Sequence, residues 1–296
     1  MDTGHGILFD SGKGHDVIEF SNTAFRYENS GRGVSDISFL VKSGECVVLT
    51  GISGCGKTTV TRLVNGLAPS YYPGVFSGSV RIDGKEISGL STWEIGRLAG
   101  SVFQDPKSQF FSSELAGEVA FACENYGLSS QEIRTRTDNA IEEMTLSYLR
   151  DRSLDAISSG EKQRTAIASV YAMKPKVFVC DEPTANLDAA GTRQLARTLN
   201  ELKAQGYTLL IAEHRIDWLM EIADRFLYLR EGKIERAYAP KDLLLLPEPD
   251  MLRMGLRALH RRKQFSLPSV PDESSSVLKA AGVSKKIRKE TILDEV

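Results

Sequence analysis

Gly51-Ile52-Ser53-Gly54-Cys55-Gly56-Lys57-Thr58-Thr59 follows directly on the apolar run Cys46-Val-Val-Leu-Thr50 and leads into the helix-like Val60-Thr-Arg-Leu-Val64. The spacing G-x-x-x-x-G-K-[ST], set between a strand and a helix start, is that of a phosphate-binding loop. Its glycines let successive backbone N–H groups turn inward around an anion, and the helix start adds positive dipole. A lysine at position 57 reaches the β- and γ-phosphates of a nucleoside triphosphate, and the Thr58 hydroxyl is placed to ligate Mg²⁺. The stretch predicts an α/β fold that binds a nucleoside triphosphate with Mg²⁺. Gly51, Ser53, Gly54, Cys55, Gly56, Lys57, Thr58 and Thr59 form the predicted nucleotide-binding set.

Composition excludes several alternatives. Lysine plus arginine (37) nearly balances aspartate plus glutamate (39), so no global basic field recommends nucleic acid. No apolar run approaches the ~20 residues that span a bilayer, and Leu243-Leu-Leu-Leu246 stops at Pro247. The basic-then-apolar layout of a signal peptide is absent from the N-terminal residues. Cys46, Cys55, Cys123 and Cys180 lack metal-ligand spacing and read as reduced thiols of a soluble cytoplasmic chain.

Outward from the loop, Val17-Ile-Glu-Phe20, Ile37-Ser-Phe-Leu-Val41 and Gly78-Ser-Val-Arg-Ile82 read as strands with turn signals between them. Ser91-x-x-Glu94 and Ser129-x-x-Glu132 are capping-box helix starts, and the pattern is helical from about Ser112 to Asp155. Lys176-Val-Phe-Val-Cys180 and Tyr207-Thr-Leu-Leu-Ile-Ala212 are short, wholly apolar strands, each preceded by a helical stretch. That alternation predicts a buried parallel sheet. Phe226 to Glu235 reads as a closing β-hairpin, and Leu252 to Lys263 as a helical tail.

Two further segments carry chemistry. Val177-Phe-Val-Cys-Asp181-Glu182 is a strand ending in paired carboxylates. Beside a bound phosphate, Asp181 can hold Mg²⁺ through its water shell and Glu182 can polarise an attacking water. Ile157-Ser158-Ser159-Gly160-Glu161 opens a helix with its own capping box, and the same helix start can serve as a second anion site.

Taken together, the residues from Val17 to Arg236 resemble the ATP-binding cassette (ABC) ATPases. The motifs are the phosphate loop, Gln104 in Val-Phe-Gln104-Asp-Pro, the segment 157–161, Asp181-Glu182, Asn186-Leu-Asp188 and His214, in the family's order. The resemblance implies a P-loop NTPase of the ABC ATPase type, with a mixed β-sheet core, an antiparallel β-subdomain and a helical subdomain at about 105–157. It implies that Gln104 senses Mg²⁺ and the γ-phosphate, that His214 steadies the γ-phosphate and water, and that Asp188 joins two nucleotide domains. Tyr27, thirty residues before Lys57, matches the position where the family stacks an aromatic on adenine. Ser158 and the Gly160 N–H then address the γ-phosphate of an ATP held by another subunit. Thr58, Gln104 and Asp181 form the implied metal set, and Glu182, His214 and Gln104 the implied catalytic set.

The chain departs from the family's usual Leu-Ser-Gly-Gly-Gln at Ser159 and Glu161. A side chain and a negative charge close to phosphate predict slower hydrolysis. Gln104 to Leu115, Glu118-Val-Ala-Phe, and Ala212-Glu-His214-Arg-Ile-Asp217-Trp resemble the ATPase subunits of energy-coupling factor (ECF) importers. Those subunits drive uptake of vitamins, cobalt or nickel at the cytoplasmic face of a bacterial or archaeal membrane, with an integral membrane scaffold and a substrate-binding membrane protein.

The expected partition is a loose lead-in (1–16), the ABC domain (17–236), a helical tail and linker (237–276), and the start of a second ABC domain (277–296). Val277-Leu278 and Leu293 to Val296 echo Val17-Ile18 and Val34 to Ile37. Lys285-Lys-Ile-Arg-Lys289 reads as a solvated turn. One phosphate loop and one 157–161 segment per chain require two copies, a homodimer or a tandem. The competing class is a tandem ABC ATPase acting on ribosomes or other nucleoprotein, whose linker is usually long, helical and charged, unlike the Ser/Pro-rich 266–276. A third class is a nucleotide-binding regulator with little turnover, against which Glu182 and His214 argue.

Overall fold

The computed structural model describes residues 15–256, 281–282, 284–287 and 290–293, and divides into two compact units, Met1–Leu259 and His260–Val296. In the first unit, β1 (Asp16–Tyr27) and β2 (Gly33–Lys42) bury alternate residues, with Val34, Ile37, Phe39 and Val41 of β2 turned inward. The wholly buried β3 (Cys46–Thr50) feeds the phosphate loop and α1 (Lys57–Val64). A single turn α2 (Leu67–Ser70), then β4 (Gly74–Ile82) and β5 (Lys85–Glu86), complete an antiparallel sheet of order β2-β1-β4-β5.

Helix α3 (Thr92–Leu98) starts at the Ser91/Glu94 capping box and runs straight into β6 (Ala99–Val102). Three helices follow: α4 (Leu115–Asn125), α5 (Ser130–Glu143), capped by Ser129, and α6 (Ser159–Ala172), capped by Ser158. Then come β7 (Val177–Asp181), α7 (Ala189–Ala204), β8 (Thr208–Ala212), β9 (Arg225–Arg230) and β10 (Lys233–Tyr238). The unit closes with α8 (Pro240–Leu244) and α9 (Glu248–Arg253). The second sheet has the order β10-β9-β3-β8-β7-β6, parallel throughout except for the edge strand β10.

Alternation decides which core each strand residue enters. Cys46, Val48, Phe178, Cys180, Leu209 and Ile211 face a core shared with α4, α5, α6 and α7. Val47, Leu49, Val177, Val179, Leu210 and Ala212 face a second core shared with α1 and the antiparallel sheet. Both faces are covered, so these strands carry apolar residues at nearly every position. Each fully buried aliphatic side chain stabilises the fold by about 1.5–3 kcal/mol before entropy is counted.

Three local expectations change. β4 begins at Gly74, before the predicted Gly78, and β6 is a strand that sequence patterning does not predict. α6 packs so close on β6 that a Cβ at Gly100 would fall 2.2 Å from Val170 Cγ1, which is why small residues occupy this strand. In the second unit, Lys285–Ile287 is not a turn but β11, paired antiparallel with β12 (Glu290–Leu293). Val277, Leu278 and Val296, on which the predicted second domain start rests, lie outside the described residues, as do residues 257–263 of the predicted tail.

Candidate functional site

Four neighbouring parallel strands, β3, β8, β7 and β6, deliver the candidate residues from their carboxyl ends. β3 ends at Thr50 before the phosphate loop, β8 at Ala212 before Glu213 and His214, β7 at Asp181 before Glu182, and β6 at Val102, two residues before Gln104. Register brings these ends level, because Ala212 pairs with both Leu49 and Asp181, and Val102 pairs with Cys180. Ligands in open α/β sheets bind outside the carboxyl ends of the strands.

The phosphate loop is formed and anchored. Gly51 has φ +141°, and a Cβ there would lie 2.2 Å from the Leu229 carbonyl oxygen, so only glycine fits. Lys57 is 4% exposed, and its ammonium donates to the carbonyls of Gly51 (2.9 Å) and Ile52 (3.2 Å). Cys55 is buried, which pushes its thiol above the ordinary value. In the first turn of α1 the N–H of Val60 reaches the Gly56 carbonyl, and helix geometry leaves those of Lys57, Thr58 and Thr59 without intrahelical acceptors. The turn after α9 adds a contact that sequence reading missed, since a Cβ on Gly255 would fall 2.3 Å from Ile52 Cγ2.

Thr58 Oγ1 donates to Asp181 Oδ1 at 3.1 Å, joining two candidate metal ligands 123 positions apart in sequence. Burial pushes the Asp181 carboxyl up. The Thr58 hydroxyl bond pulls it down, neighbouring Glu182 raises it further, and Arg62 and Lys57 oppose. A hydroxyl and an under-compensated, part-buried carboxylate are hard oxygen donors of the kind Mg²⁺ takes, so the pair fits that ion.

Glu182 sits at φ +45°, in the left-handed region, and its N–H donates to the Ala212 carbonyl at 2.8 Å. Such a conformation costs a non-glycine residue about 1–2 kcal/mol, and strain of this kind gathers at functional sites. His214 Nδ1 lies 3.9 Å from Glu182 Oε2 and 3.2 Å from Glu213 Oε1. Glu213 is fully buried and had not been identified from sequence. Its Oε1 accepts from the N–H groups of His214 (2.9 Å) and Arg215 (3.0 Å), and its Oε2 from the Thr184 hydroxyl (2.5 Å). It thereby ties the loop after β8 to the loop after β7. The only sequence signal is a carboxylate directly after an apolar strand.

Tyr27, at the end of β1, is half-buried and accepts a hydrogen bond from Arg62 of α1 at 3.1 Å. The same guanidinium lies 3.8 Å from the Tyr72 ring centroid, and Tyr72 meets Tyr27 edge-on at 6.3 Å. Arg62 and Tyr72, unremarked in sequence, thus fix the Tyr27 ring. Gln104 is exposed, and its backbone carbonyl accepts from Asn186 Nδ2 at 3.4 Å.

The remaining candidates form a second cluster. Ser158, Gly160 and Asp188 line a groove of about 600 Å³ together with Arg164 and Gly191, and no phosphate-loop residue lines it. Ser158 caps α6 and Asp188 caps α7, its Oδ1 accepting from the Gly191 N–H at 2.7 Å. Gly160 has room, because a Cβ there would find its nearest neighbour at 3.8 Å.

The ABC transporter family profile matches residues 34–185. A Treponema denticola protein named as an ABC transporter ATP-binding protein is 40% identical over 245 residues, covering 82% of this chain and 50% of that protein. The structure of cbiO1 from Clostridium perfringens, part of the ABC transporter complex cbiONQ, matches at TM-score 0.70 and 30% identity. It covers 81% of this chain and 98% of that one. A dimeric ATP-binding cassette bound to ADP and Pi shares the fold at TM-score 0.65 and 23% identity, covering 75% of this chain and 98% of that one. The chain spans about half the length of the first curated relatives it matches.

Proposed function

The chain belongs to the ABC transporter family, and on that premise we propose that it is the ATP-hydrolysing motor of a membrane importer. It works as one of a head-to-tail pair of cassettes at the cytoplasmic face of the membrane. The observation that carries this reading is the division of the candidate residues into two sets. One gathers at the carboxyl ends of four parallel strands, the other on a separate groove at the starts of α6 and α7. Two copies placed head to tail would bring one set of each chain against the other set of its partner.

In this reading Lys57 and the first-turn N–H groups of α1 hold the phosphates, and Tyr27, oriented by Arg62, stacks on adenine. Thr58 and Asp181, together with Gln104, would hold Mg²⁺. Bound Mg²⁺ supplies neutralising charge on the phosphate oxygens. Glu182 accepts the proton of the attacking water, and His214, braced by Glu213, holds that water and the γ-phosphate in line. Ser158 and Gly160 serve the partner's γ-phosphate, and Asp188 contributes across the interface.

The ECF assignment, with vitamin or cobalt and nickel uptake, rests on the 104–124 and 212–218 motifs and on the likeness to cbiO1. An apolar groove of about 510 Å³ beside β6, lined by Trp93, Phe111, Phe121 and Tyr126, suits an apolar segment of a membrane scaffold. The half-length match to the relatives supports a tandem arrangement with a second cassette beginning near 277.

Two measurements test the proposal. Phosphate release by the chain should fall at least about 100-fold on Glu182→Gln; equal rates overturn the hydrolytic reading. Purification of the tagged protein in mild detergent from its own cells should bring integral membrane companions. Ribosomes or DNA-processing proteins in their place overturn the importer.

A further inference from the structure

Glu161 stands where a negative charge opposes phosphate binding, yet its carboxylate is not free. Oε2 accepts from the Ser158 N–H at 2.7 Å, and Oε1 accepts from the hydroxyl of Tyr148 at 2.7 Å. Ser158 Oγ in turn accepts from the Glu161 N–H at 3.3 Å, and its hydroxyl also favours the ionised Glu161 carboxylate. Tyr148 comes from the 3₁₀ turn Ser147–Leu149, between α5 and α6, and is 65% exposed. Burial of apolar area therefore does not explain this tyrosine; its hydroxyl contact does. The capping box alone fixes one carboxylate oxygen, and Tyr148 fixes the other.

We propose that Tyr148 is a positioning residue for phosphate recognition at the start of α6. It holds the Glu161 carboxylate back against the Ser158 cap, so that the Ser158 hydroxyl and the Gly160 N–H face the partner cassette's ATP. The inference rests on the head-to-tail reading above and deepens it: the departure from Gln at position 161 is offset by a residue thirteen positions upstream. Without the tyrosine hydroxyl, Oε1 loses its partner and the carboxylate is held through Oε2 alone.

The test is a cycle of four full chains: wild type, Tyr148→Phe, Glu161→Gln and the double variant, with phosphate release measured against ATP concentration. Loss of one hydrogen bond to a charged group predicts that Tyr148→Phe lowers kcat/KM about fivefold, mainly through KM. In the Glu161→Gln background, where no charge needs restraint, the same change should alter kcat/KM by less than about 1.5-fold. An equal loss in both backgrounds marks a merely structural tyrosine and overturns the inference, as does a flat response in the wild-type background. Glu182→Gln run alongside separates the layers. Turnover that depends on Glu182 while Tyr148→Phe has no effect removes this inference alone. Turnover that is indifferent to Glu182 removes the hydrolytic reading beneath it.

Discussion

The phosphate loop and the start of α6 are both helix N-termini read as phosphate sites, and they are built in opposite ways. At the loop, Lys57 is buried, Gly51 is wedged against Leu229, and Thr58 bonds to a carboxylate from another strand. At α6, Ser158 and Ser159 are exposed, the cap is closed within four residues, and Gly160 has open space before it. The first half is finished by long-range contacts inside one chain. The second is capped within its own first turn, is supplemented by Tyr148 thirteen positions upstream, and faces outward. That asymmetry suits the proposed head-to-tail pair, in which the outward face would have to fold before a partner arrives.

Glycine substitutions probe the contrast most sharply. Gly51→Ala puts a Cβ into the Leu229 carbonyl at a φ of +141°, and should cost about 4 kcal/mol of stability, read as a lowered midpoint of chemical denaturation. Gly160→Ala should leave that midpoint within about 0.5 kcal/mol while lowering ATP turnover. Equal destabilisation at both positions would break the comparison. Glu213→Ala comes next. It strands the Thr184 hydroxyl and two backbone N–H groups in a buried setting, for a loss of about 3 kcal/mol in the same assay. Lys57→Ala removes a buried cation from the loop and should weaken binding of a fluorescent ATP analogue about 100-fold, or about 2.7 kcal/mol. A chain that binds the analogue normally without Lys57 would leave the loop an anchored turn and nothing more.

Legibility in the sequence follows the same division. The phosphate loop, the caps at Ser91, Ser129 and Ser158, and the acidic pair after β7 are written in consecutive residues. The ABC likeness built on them is that of the matched family and of the observed fold. What escaped notice depends on residues far apart. β6 is four residues of mostly small side chains, made a strand by β7 beside it and α6 above it. Glu213 reads as a spacer before His214 until Thr184 is seen against it. Arg62 passes for a solvated helix residue, although its guanidinium spans Tyr27 and Tyr72. The Glu161 cap is legible, but no local pattern places Tyr148 on its second oxygen. Periodicity reports which face of an element is buried, and it is silent about which distant partner occupies that face.

Acid should move the two halves in opposite directions, which is the smallest and most discriminating effect. Partial burial of Glu161 works to raise its carboxyl, but the Ser158 and Tyr148 bonds win and hold it below the ordinary 4.5. A lowered folded value means stability that is present above 4.5 and lost as pH falls through that folded value. Asp181 is the reverse: burial raises its carboxyl above 3.8, so its charge costs stability at neutral pH. That cost lifts as pH falls through the raised value toward 3.8. In the nucleotide-free chain, Glu161→Gln should therefore be less stable than wild type at pH 7, by no more than about 0.5 kcal/mol given its exposure. Asp181→Asn should be more stable than wild type at the same pH. Urea midpoints of the three proteins should converge from opposite sides as the pH falls well below both 3.8 and the lowered Glu161 value, where both carboxyls are protonated in folded and unfolded chains alike. Convergence from the same side would mean that burial governs both carboxylates, and that the capping bonds of the outward half contribute nothing measurable.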